Sequence, residues 1–122
     1  MAWMSRRPPS AVARAARAAL DTRADQPPSM RAGTAVGLAR ARQLAARERV
    51  SIDVIRRMLS FFARHGASPG SAEARRDRTS KAAQAWGLWG GNPGRAWAAR
   101  ELRRYERCLL YTSPSPRDKR QA

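Results

Sequence analysis

The sequence predicts an all-α protein, a small bundle of four or five short helices with a helix-turn-helix-like pair in its middle. Three observations carry that prediction. Apolar residues recur at helical spacing in several stretches, and none shows the alternation of a half-buried strand. Serine, threonine or asparagine (Ser10, Thr34, Ser51, Asn92) stands before four of these stretches, where a side-chain oxygen can bind the free N–H groups of a first helical turn. Proline and glycine pairs (Pro8-Pro9, Pro27-Pro28, Gly90-Gly91) punctuate the chain between them, and no internal repeat is visible.

Taken in order, Ser10 is placed to cap a first helix in which Val12, Ala16, Ala19 and Leu20 form a thin apolar stripe, with Arg14 and Arg17 off it. Alanine favours the helix but buries little, so this element needs a partner. Pro27 and Pro28 end it and begin a linker. Thr34 caps a second helix with Leu38, Ala41, Leu44 and Ala45 on one face and Arg40, Gln43 and Arg47 on the other. Arg49-Val50-Ser51 is the expected connection to a third helix, capped by Ser51, with Asp53 at the positive end of its dipole and Arg64 and His65 at the negative end. Gly66 is placed as its C-terminal stop. Val54, Ile55, Met58, Leu59, Phe61 and Phe62 cover one half of this helix; Asp53, Arg56, Arg57, Ser60 and Arg64 cover the other. Residues 67–79 offer nothing to bury and are expected to form a mobile loop. Lys81 to Trp89 is a fourth helix weakened by Gly87. Asn92 as cap, with Pro93 at the first helical position, opens a fifth.

The end of the chain reads differently. Cys108 to Asp118, CLLYTSPSPRD, resembles the translation of a sequencing-library adapter over eleven consecutive residues; the other reading is a natural Pro/Ser-rich tail. The expected organisation is therefore a basic helix and Pro-rich linker over 1–32, a helical core domain over 33–107, and an adapter-like, disordered tail over 108–122. About 107 residues suffice for one domain of ordinary size. The formal charge of +16 falls only to +14 when the tail, with its three basic residues and one acid, is set aside. Such an excess suits DNA or another polyanion, because each phosphate contact releases counterions. Of 25 basic residues only Lys81 and Lys119 are lysine, a bias that a GC-rich genome also produces, yet that bias does not explain the scarcity of acids.

Chemistry is harder to find. Cys108 is the only cysteine and lies in the tail, so neither a disulfide nor a cysteine metal site is expected. His65 is the only histidine, with no cluster of ligands around it, and is expected to meet helix-end carbonyls. No serine has an evident base. GGNPG lacks the preceding strand and the following Lys-Ser/Thr of a phosphate loop. No enzyme activity and no cofactor are expected. There is no apolar run for a signal peptide or a membrane span, which needs roughly 20 residues, so a cytoplasmic protein without membrane contact is expected.

Binding is the better reading. LAARERVSIDVIRRML fits a helix-turn-helix pair: Ala45 small where helices cross, Val50 entering the turn, Ile55 and Met58 holding the second helix onto the first. Such a pair lays its second helix in the major groove, where Asp53, Arg56, Arg57 and Ser60 would reach base edges and either arginine can pair with guanine. Arg40, Arg47 and Arg64 extend the basic face. Arg49 stands where the turn usually holds glycine, and a left-handed conformation there strains a residue with a Cβ. A plain helical hairpin with a solvated basic face is the competing reading. Trp86, Trp89 and Trp97 gather near the glycines with Trp3 outside them; they can stack bases, but in a chain this poor in large apolar residues Trp86 and Trp89 are expected in the core.

The order GTAVGLARARQLA, then S-x-x-x-I-R-R-M-x-S-F-F-A-R-H, then W-x-L-W-G-G-x-x-G-R-A-W-A, spanning Gly33 to Ala98, resembles a small domain of tailed-phage and prophage proteins. Its relatives carry a longer charged segment after FFARH, a bulky residue where this chain has Gly87, and acid-Ala-Gly where it has Asn92-Pro93-Gly94. The resemblance implies a viral setting, in the host cytoplasm or associated with the virion, and offers a phage structural protein such as a head-assembly component as the alternative partner to the DNA that the basic face suggests.

Overall fold

The computed structural model describes residues 3–112, with side chains to residue 110. Among these the fold is all-α: α1 (Ser10–Ala24), a 3-10 turn (Pro28–Met30), α2 (Ala35–Ala45), α3 (Ile52–Ala67), the short α4 (Ser71–Ala74), α5 (Lys81–Leu88) and α6 (Gly91–Thr112). α1 packs against α2, α5 and α6, and α3 lies along α6. The main core joins Trp3, Val12, Ala16, Leu44, Val50, Ile55, Met58, Phe61, Phe62, Trp86, Trp97 and Ala98, and a smaller one joins Ala19, Ala41 and Leu88.

Small residues decide how closely the helices approach. α1 offers mostly alanine, and a Cβ built on Gly87 of α5 would stand only 2.6 Å from the Ala19 Cβ. Gly87, which costs helix propensity, thus lets α5 lie on α1, and the alanine-rich first helix finds in α2, α5 and α6 the partners it needs. The segment 3–32 is part of the packed bundle, for it supplies Trp3, Val12, Ala16 and Ala19 to the interior.

Several helix ends fall elsewhere than the pattern suggests. Ser10 is the first residue of α1, and Pro9 occupies the cap position, its carbonyl accepting from the Val12 and Ala13 N–H groups at 3.1 Å each. Gly66 lies inside α3, which runs on to Ala67; a Cβ there would meet the Trp86 ring at 3.4 Å, so its lack of a side chain makes room for an indole. α6 begins at Gly91 because Gly90, at φ +105°, makes the turn and accepts from the Gly94 N–H at 2.9 Å. Pro93 then sits in the first turn, where its missing N–H costs nothing. The Asn92 side chain, expected as a cap, accepts from Trp86 Nε1 at 2.9 Å.

The segment expected as a mobile loop holds α4 and a turn. Asp77 accepts from the Thr79 hydroxyl at 2.7 Å and its N–H at 2.9 Å, bonds that hold its carboxyl below the usual range. Ser80 caps α5. At the other end α6 continues to Thr112, into the stretch expected as a disordered tail, because adding residues to a formed helix costs little. The remainder of that tail lies outside the described residues.

The middle pair is joined as expected in order, but its packing differs. The connection runs from Ala46 to Ser51, and the left-handed residue is Arg47, at φ +55°, rather than Arg49. α2 lies on α1 and α5 while α3 lies on α6, and Trp89 touches both, so Ile55 and Met58 serve the common core instead of an autonomous pair.

Candidate nucleic-acid interface

α3 presents the candidate residues because its other half is committed to the core. Ser51 Oγ accepts from the Val54 N–H at 3.4 Å, Asp53 sits in the first turn, and Ile55, Met58, Phe61 and Phe62 are buried. The remaining periodicity leaves Asp53, Arg56, Arg57, Ser60 and Arg64 exposed in one stripe, about 16 Å long at the helical rise. Asp53 is its only acid.

The six expected contact residues do not form one patch. Arg57, Ser60 and Arg64 line a groove of ≈ 300 Å³ with Thr34, Val36 and Trp89. Within it Arg64 Nη1 donates to Ser60 Oγ at 3.0 Å. Arg57 has no hydrogen bond and no carboxylate partner among the described residues. Arg40 joins from α2, its guanidinium 5.7 Å from the centre of the Trp89 ring. Burial, and after it the like charge of Arg57, lowers the pKa of Arg40, although a guanidinium stays charged at neutral pH. Its Nε is buried without a hydrogen-bond partner. Arg56 leans toward α6, 5.3 Å from the Tyr105 ring centre.

Arg47 stands apart. Its Nε donates to the Pro8 carbonyl at 2.8 Å and its own carbonyl accepts from Arg7 at 2.8 Å. With the Arg6 and Val50 backbones bonded to each other at 2.8 and 3.0 Å, these contacts tie the N-terminal strap to the turn before α3. Arg47 is a fastening for that strap rather than part of the α3 face.

The aromatic residues also divide. Trp86 and Trp97 are buried as core, and so is Trp3, which the sequence placed outside: its Nε1 donates to Glu101 at 3.3 Å and its ring meets Tyr105 edge-on. Trp89, expected in the core, is only half-buried. It stacks on Phe61 at 5.2 Å between centroids, and Phe61 stacks on His65 at 4.1 Å. His65 Nδ1 lies 3.1 Å from the Phe61 carbonyl oxygen, one turn back inside α3 rather than among the free carbonyls at the helix end, where the sequence suggests it. Thr34, Val36 and Trp89 are the groove residues that sequence reasoning missed, because the groove arises where the end of α5 meets α2 and α3, a contact no local pattern carries. Among the described residues no group of three His, Cys, Asp or Glu side chains could hold a metal ion, and no helix is long and apolar enough to cross a membrane. No protein-family model matches this chain, and neither the curated proteins nor the solved structures give a match.

Proposed function

We propose that this chain is a small basic helical protein of a phage or prophage that binds DNA through the outer face of α3. The observation that carries the reading is the exposed stripe of Arg56, Arg57, Ser60 and Arg64 with a single acid, in which Arg57 has no ion-pair partner among the described residues. Exposed guanidinium groups release counterions from a phosphate backbone and can pair with guanine in the major groove. Because α2 and α3 are held by different neighbours, the reading rests on the face of one helix and not on a helix-turn-helix unit. Its place is where phage DNA is found, in the host cytoplasm or packaged with the virion.

The test is binding of labelled duplex DNA by fluorescence anisotropy at two salt concentrations, for the wild type and for Arg56→Glu/Arg57→Glu. The double variant is expected to bind on the order of a hundredfold more weakly, and the slope of log K against log salt to fall by about two. Equal affinities for variant and wild type, with circular dichroism unchanged, would sink the reading. Docking onto a phage structural protein would then take its place.

A further inference from the structure

Beside the arginine groove lies a second cleft, of ≈ 330 Å³, sharing Thr34, Arg64 and Trp89 with it. Its volume is at the small end of ligand sites, enough for one flat ring system and not for a peptide segment. The partly exposed Trp89 and Ala85 give it an apolar wall over the buried Phe61 and Leu88, His65 closes one side, and Gly37 opens the other: a Cβ there would stand 3.5 Å from Trp89 Nε1. That indole N–H makes no hydrogen bond among the described residues, unlike those of Trp3 and Trp86.

At the shared rim the charge is all of one sign. Arg40 and Arg57 repel one another with no carboxylate between them, and Arg64 lines the same wall. The start of α2 adds to this. Thr34 Oγ1 binds the Gly37 N–H at 3.1 Å, but the Ala35 and Val36 N–H groups have no acceptor among the described residues and carry the positive end of the helix dipole. An anion at the rim would relieve the repulsion. A small apolar aromatic slot joined to an anion rim is the shape of a nucleotide, base inside and phosphate outside.

We infer that this cleft receives one unpaired base of a single-stranded nucleic acid, packed against Trp89 and His65, the two accessible ends of the stack that buried Phe61 joins, with the adjoining phosphate on Arg57 and Arg64. A paired base is already stacked in its duplex and cannot enter, so the cleft confers a preference for single strands or unpaired ends. The inference rests on the reading of α3 as a nucleic-acid face and adds to it what the face selects.

The experiment compares three labelled ligands with equal numbers of phosphates, at about 0.15 M salt: a base-bearing single strand of roughly 12 nucleotides, an abasic strand of the same length, and a duplex. The base-bearing strand is expected to bind on the order of tenfold more tightly than the abasic one. Gly37→Leu, which fills the slot and leaves every arginine in place, is expected to remove that advantage without changing abasic affinity; Trp89→Leu should do the same. Equal affinity for base-bearing and abasic strands, with duplex binding still dependent on Arg56 and Arg57, would overturn the cleft and leave the arginine face standing. A base preference that survives Gly37→Leu would also overturn it. Failure of all three ligands to bind would remove both, and the strand comparison needs no variant to fold.

Discussion

Gln84 shows what single residues do in a fold with few large side chains. It is 1% exposed, accepts from the Ala32 N–H at 2.9 Å, and donates to the carbonyls of Met30 at 3.0 Å and Thr79 at 2.8 Å. One amide thereby fastens the linker before α2 and the turn before α5, and every polar group it touches is satisfied. Gln84→Ala leaves those backbone groups facing a small void. The expected loss is about 3 kcal/mol of unfolding free energy, read by urea denaturation with an unchanged slope; a loss under about 1 kcal/mol would mean that water replaces the amide. In the sequence Gln84 looks like a solvated position in KAAQAWGL. Trp3 and Glu101, bonded across 98 positions, are equally silent. By contrast the caps Thr34 and Ser51 were legible, because each binds an N–H three residues on, and local chemistry is what local sequence records.

At the scale of elements, the period of apolar residues identified the five main helices and the outward face of α3, but not how one helix ends or which neighbour it meets. The end of α2 is the instructive case. The Arg47 N–H binds the Leu44 carbonyl at 3.0 Å and the Glu48 N–H binds that of Gln43 at 3.1 Å, the paired bonds of a Schellman turn whose left-handed position usually holds glycine. Arginine stands there because its side chain reaches the Pro8 carbonyl, a bond that offsets backbone strain of about 1 kcal/mol. Two substitutions separate these effects. Arg47→Ala loses the bond and keeps the strain, whereas Arg47→Gly loses the bond and the strain together. Arg47→Gly is therefore expected to be the more stable of the two by about 1 kcal/mol in urea unfolding, and both should bind duplex DNA within about twofold of the wild type at moderate salt, since one charge off the α3 face changes only the long-range attraction. An alanine variant as stable as the glycine variant would show that the turn is not left-handed in solution.

For the molecule as a whole, charge sets two opposite responses to salt. The chain carries 25 basic and 9 acidic residues, and the ion pairs among the described residues are those of Glu101 with Arg6 at 3.2 Å and Arg104 at 3.4 Å. With so few attractive pairs, the folded state holds like charges closer together than the unfolded chain does, and self-repulsion works against it. Screening weakens this repulsion between exposed arginines, while the buried Glu101 contacts are less affected. Raising salt from about 0.02 M to about 0.3 M is thus expected to raise the thermal midpoint of the free protein by several degrees. The same change should weaken DNA binding steeply, because it removes the free energy of counterion release. A polyanion bound to the arginine face does both jobs at low salt, neutralising the repulsion and stabilising the fold by mass action. Scanning calorimetry with and without DNA at the two salt levels then makes a sharp prediction. The midpoint difference between duplex-bound and free protein should be largest at low salt and shrink toward zero at high salt; a difference independent of salt would mean that contacts to base edges outweigh the phosphates in holding the duplex.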